Sequence, residues 1–87
     1  MVGAISLSQL CEGQILSVLS VDGRDDIKQR FLDLGIEHGA EMTCLMSGRG
    51  IKAYRVRGAV IAIRDEDAEG IVGEPVCVSS RGQAYEK

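Results

Sequence analysis

Four basic residues, Arg49, Lys52, Arg55 and Arg57, fall within nine positions that contain no acid. Guanidinium and ammonium groups at this density recognise carboxylates or phosphates through charge-assisted hydrogen bonds. In an extended chain successive side chains point to opposite faces, so Lys52 shares a face with Tyr54 while Arg55 and Arg57 share the other. Two readings fit. One is a basic ribbon that meets an acidic partner, with Arg49, Lys52, Tyr54, Arg55 and Arg57 as its partner-binding residues. The other is an edge strand kept soluble by charge.

The remaining chemistry-bearing residues are sparse. His38 is the lone histidine, and Glu37 and Glu41 stand close to it in sequence. A metal site needs three or four positioned ligands, so we read His38 as a solvated turn residue and expect no metal centre. Cys11, Cys44 and Cys77 are three in number and form no CxxC pair, which argues against a disulfide framework and a closed zinc site and favours a reducing compartment. Cys44, in a strand-like stretch, reads as a small core hydrophobe. The acidic run Asp65, Glu66, Asp67, Ala68, Glu69 reads as a solvated turn. Gly48-Arg49-Gly50 lacks the Gly-Lys-Ser/Thr continuation of a phosphate loop, and no Ser-His-Asp or Cys-His arrangement is suggested. We therefore expect no enzyme and no cofactor.

The chain has 87 residues and a formal net charge of −3; 45% of it is hydrophobic. That length supports one domain with little room for a deep cavity. Net acidity disfavours nucleic acid and anionic membranes as bulk electrostatic partners. No apolar run approaches the ~20 residues that span a bilayer. Met1 to Leu10 lacks a basic region of the signal-peptide kind. The expected location is cytoplasmic.

Elements must position the basic ribbon, and the sequence proposes them. Gln14 to Val21 is rich in β-formers. A helix is expected over about Asp26 to Leu34, N-capped by Asp25 or Asp26, with Ile27, Phe31 and Leu34 on one face. Gly35 then takes the left-handed position of a helix stop, and Ile36 packs back on Phe31. Glu37-His38-Gly39 is a turn. Glu41 to Ser47 alternates as a half-buried strand, with Met42, Cys44 and Met46 to one side. Gly48-Arg49-Gly50 is a hairpin tip. Ile51 to Arg57 returns as a second strand, and Ala59 to Arg64 forms a third that reads as well buried. Asp65 to Gly70 is a polar turn, and Ile71 to Val78 holds a last strand, with Pro75 near its end or at an edge. The expected core is Leu16, Val18, Phe31, Leu34, Ile36, Cys44, Val56, Ile61 and Ile63. The expected organisation is a domain over residues 1–78 followed by a polar tail over 79–87. The fold class is mainly β: a small barrel of about five strands with one short α-helix.

Three motifs recur in order: Leu7-x-x-Leu10-x-x-Gly13, then Arg30-Phe31-Leu32-Asp33-Leu34-Gly35-Ile36-x-x-Gly39, then Val56-x-Gly58-x-x-Ile61-Ala62-Ile63-Arg64 before Ala68-x-x-Ile71. In order and spacing this series resembles FeoA domains over roughly residues 5 to 76. The resemblance implies an SH3-like β-barrel and a small cytosolic accessory protein of bacterial ferrous iron uptake. It implies FeoB, the membrane ferrous iron transporter, as partner, which would place the protein at the inner membrane only through that partner. Weak self-association is compatible with this. The sequence departs from the family at His38, where Pro is common, and in the middle loop, where Gly50-Ile51-Lys52-Ala53 replaces an Asp-Pro-like element. Two alternatives stay open: a small nucleic-acid-binding β-barrel using the basic strand, and a stand-alone metal-responsive effector domain similar to that of iron-dependent repressors.

Overall fold

The aliphatic and β-branched runs pair into one sheet. In the computed structural model, which describes residues 3–76, the strands are β1 (Ile5–Ser6), β2 (Ile15–Val21), β3 (Glu41–Ser47), β4 (Ile51–Val56), β5 (Ala59–Arg64) and β6 (Ile71–Val76). They form a six-stranded antiparallel sheet in the order β1-β6-β2-β3-β4-β5. Helix α1 (Asp25–Asp33) links β2 to β3, a short helix α2 (Asp65–Ala68) links β5 to β6, and a 3-10 turn covers Leu7–Gln9.

The mainly β class holds, with differences. There are six strands and two helices where about five strands and one helix were expected. The two-residue β1 is too short to leave a periodic signal in the sequence. Among the described residues the sheet does not close into a barrel: β1 pairs only with β6 and β5 only with β4. At this opening α2 packs against the 3-10 turn and against β5. Cys77 and the tail expected over 79–87 lie outside the described residues.

The helix stop follows local chemistry. Gly35 has φ 90°, the Ile36 N–H donates to Phe31 O at 2.9 Å, and the Gly35 N–H donates to Leu32 O at 2.9 Å. These two bonds close the Schellman arrangement, and Phe31 and Ile36 are both buried. The helix start differs from expectation. Arg24 holds the cap position without a side-chain cap bond, and Asp25 and Asp26 lie inside the first turn. There their carboxylates favour the positive end of the helix dipole, and Asp26 also pairs with Arg24 at 3.4 Å.

The core gathers Leu16, Val18, Phe31, Ile36, Cys44, Val56 and Ile63 as expected, and adds Leu7, Leu10, Met42, Tyr54, Ala68 and Ile71. Ile61 is half-buried against it. Leu34 is the exception: it is the C-cap residue, and 38% of its surface remains exposed. Strand β5 also departs from expectation. It is an edge strand in which only Ile63 is fully buried. The expected alternation in β3 breaks after Cys44, where the register with β4 shifts. One extra residue in the strand moves Met46 to the outer face, where it is 64% exposed. Gly73 of β6 faces Ser17 so closely that a Cβ there would stand 2.2 Å from its carbonyl oxygen.

Candidate partner interface

The basic ribbon is built on two tight turns and the strand between them. Between β3 and β4 the Gly48 N–H donates to Ile51 O at 2.8 Å and Gly50 has φ 70°, leaving Arg49 exposed at the tip. Between β4 and β5 the loop is Arg57-Gly58, with φ 51° and 82°. Positive φ at both central residues is the type I′ geometry that matches the twist of a two-residue hairpin. Arg57 adopts it as a non-glycine residue. Its Nε donates to Gly35 O at 3.2 Å, and its guanidinium stands 3.7 Å from the Glu37 carboxylate. The second hairpin is thus tied to the helix stop.

Alternation along β4 separates the remaining basic residues. Lys52, Tyr54 and Val56 point inward. The Lys52 ammonium donates to the backbone carbonyls of Ser8 and, at 3.4 Å, of Leu10. Tyr54 is wholly buried, and its hydroxyl donates to Leu7 O at 3.3 Å. Burial, with smaller contributions from Cys44 and Asp65, raises its hydroxyl pKa well above the ordinary 10.0. Both residues therefore fasten the N-terminal arm to the sheet. The exposed face of β4 is the opposite one.

That outer face is apolar at its centre and basic at its margins. Ile51 (41% exposed) and Val60 (59% exposed) stand on it beside Met46, with Ala53 and Ala62 between them. Arg55 and Arg64 are exposed on the same face. Arg64 has one carboxylate near it, that of Glu66, at 3.9 Å. Sequence reasoning placed Arg49, Arg55 and Arg57 at the surface but missed Arg64 and the apolar strip. Period-two alternation from Ile51 would have found Ala53, while Met46 needed the bulge.

The other sequence candidates stay apart from this face. His38 is exposed in its turn, where Gly39 has φ 91°, and it borders a groove between α1 and β2 lined by Leu19, Leu32 and Ile36. The described residues contain no group of three or more His, Cys, Asp or Glu side chains able to hold one ion. Cys11 is exposed and Cys44 is buried among core side chains. The acidic run forms α2, where Asp65 is half-buried and the carboxylates of Glu66 and Glu69 are exposed.

The chain is a small, mainly β domain with one exposed apolar face bordered by arginines. The match to known proteins identifies which. The chain belongs to the FeoA domain family, whose profile matches residues 5–75. It is similar to the FeoA protein from Chlorobium tepidum, at 27% identity and TM-score 0.75, over 95% of this chain and 80% of that one. It is also similar to Stenotrophomonas maltophilia FeoA, a procaryotic SH3 domain protein solved with zinc, at 23% identity and TM-score 0.69, over 87% of this chain and 92% of that one. A manganese-dependent transcriptional repressor shares the fold at 15% identity and TM-score 0.78, over 87% of this chain but 44% of the repressor. No curated protein matches the chain. Family membership supports a role in ferrous iron transport. No helix among the described residues is long and apolar enough to cross a membrane.

Proposed function

We propose that the protein is a cytoplasmic, non-enzymatic accessory of ferrous iron uptake that binds the cytosolic part of a FeoB-type transporter. The observation that carries this reading is the family match over residues 5–75. Its relative from Stenotrophomonas maltophilia has been suggested to act as a ferrous iron transport activating factor. The contact surface is the outer face of β4 with its two flanking turns, presenting Arg49, Arg55 and Arg57. Lys52 and Tyr54 act from the inner face by holding the strand in place. A basic margin in a protein of net charge −3 steers an acidic surface towards that face and away from the rest of the molecule.

Titration of the full chain with the purified cytosolic part of a FeoB-type transporter tests the reading. Saturable binding is expected, weakened by raising salt past ~0.15 M, where the Debye length is ~8 Å. Reversing Arg49 and Arg55 to Glu should slow association with little change in melting temperature. Binding indifferent to both charge reversals would move the partner surface to the groove between α1 and β2.

A further inference from the structure

Strand β5 pairs with β4 alone, and its other edge meets no strand among the described residues. The Arg57-Gly58 turn determines which backbone groups that edge presents. In a two-residue hairpin the flanking pair exchanges hydrogen bonds, and every second pair after it does the same. Here Val56 and Ala59 flank the loop, so Tyr54 with Ile61 and Lys52 with Ile63 are the next bonded pairs. The Asp65 N–H, donating to Gly50 O at 2.8 Å, continues the series. Val60, Ala62 and Arg64 fall between these pairs, so their N–H and C=O groups point away from β4. Val60 and Ala62 join none of the backbone hydrogen bonds of the described turns and loops, while Arg64 is the N-cap of α2 and offers the edge its N–H, its C=O being turned to the first turn of that helix.

An unpaired edge is a template for another strand, and proteins usually blunt it with proline, a bulge or very short length. The opposite edge is blunted in that way, since β1 has two residues. Strand β5 has six residues, Ala-Val-Ile-Ala-Ile-Arg, with no proline and an unbroken register against β4. Added strands gain affinity from main-chain bonds and specificity from alternate side chains. The charge on this face selects the occupant. Arg55 and Arg64 are the only charged side chains among the outward residues of β4 and β5. A second copy of β5, laid antiparallel about Ala62, would set each Arg64 opposite the other copy's Val60 and bring no carboxylate to the arginines gathered on that face. A segment with carboxylates at alternate positions puts them on the outer face, one of them beside Arg64, and turns its apolar residues to the inner face, beside Ile61 and Ile63.

We infer that β5 is a strand-acceptor edge that takes an extended acidic segment of a protein partner through the backbone of Val60, Ala62 and Arg64. This rests on the partner-binding reading above and names the element that makes the contact. Amide hydrogen exchange of the full chain, read by NMR, tests it with two probes. One is a short capped peptide alternating glutamate and valine, with a lysine–valine peptide as control. The other is the transporter's cytosolic part. Both the acidic peptide and the transporter should slow exchange at Val60, Ala62 and Arg64 by about tenfold or more, and the lysine peptide should not. Ala62→Pro removes an outward N–H that the native ladder does not use, and should abolish the protection. Should that variant unfold, Arg64→Glu decides instead: it should exchange the preference to the lysine peptide. A transporter that binds the wild type while these three amides exchange freely overturns the inference and leaves the partner reading standing. A transporter that does not bind at all overturns the partner reading, and the acidic peptide's protection, or its absence, then decides the edge by itself.

Discussion

The two faces of strand β4 carry similar residues to opposite ends. On the inner face Lys52 spends its ammonium on two backbone carbonyls, and Tyr54 spends its hydroxyl on a third. On the outer face Arg55, one residue beyond Tyr54, stays exposed. A cation on one side is a structural fastener and a cation on the other is exposed to solvent, and only the pleat separates them. Charge density along a sequence therefore overstates the size of a binding surface. The side from which each charge projects determines how much of it a partner meets.

Substitutions along β4 should make that contrast measurable. The largest effect belongs to the inner face. Tyr54→Ala empties a wholly buried site and should cost ~3–5 kcal/mol, the range for deleting a buried aromatic ring. Urea unfolding would reveal it, and a loss below 1 kcal/mol would mean that the arm does not close over this ring. Next is Lys52→Met, which keeps the aliphatic stem and removes the two carbonyl bonds. A loss of ~1.5–3 kcal/mol is expected, little changed by salt because the partners are carbonyl dipoles held within the fold.

Tyr54→Phe should be milder, ~0.5–1.5 kcal/mol for one hydrogen bond, and it carries a pH signature. The folded-state pKa of Tyr54 is raised above the ordinary 10.0. Its contribution is therefore fully present below that value and is lost as pH rises beyond it, since the unfolded chain releases its proton first. Wild-type stability should fall above about pH 10 by up to ~1.4 kcal/mol per pH unit from this group, and the phenylalanine variant should lack that component. Parallel curves for the two proteins between pH 9 and 11 would contradict the burial of the hydroxyl. The smallest stability effect is expected for Arg55→Ala, within ~0.5 kcal/mol. Its consequence should appear in salt-dependent association with the transporter partner, and a melting shift as large as that of Lys52→Met would erase the distinction between the faces.

The parts of the fold written in local chemistry were legible in the sequence. Gly35 and Ile36 announce the helix stop, and Gly50 and Gly58 announce the hairpins, because each depends on a few consecutive residues. What the sequence hid depends on distant neighbours. Lys52 and Tyr54 could be placed on one face by parity, yet which face is the inner one is decided by the arm at Leu7 to Leu10, more than forty residues earlier. Ala59 to Arg64 has the composition of a buried strand, but it ends the sheet and exposes Val60. The β3 bulge sends Met46 outward against the alternation that precedes it. The candidate surface was therefore half visible: its arginines by count, its apolar centre and Arg64 only through the pairing.

Strand β6 is the last strand described, yet it lies between the first two. Its two ladders, one to β1 and one to β2, are contacts of high sequence separation. Until Ile71 to Val76 is in place, β1 has no strand to pair with, while the β3-β4-β5 meander can already form from neighbouring segments. Contacts of low sequence separation close faster than distant ones, so the hairpin unit is expected to form first and the long-range closure of β6 to set the pace of folding.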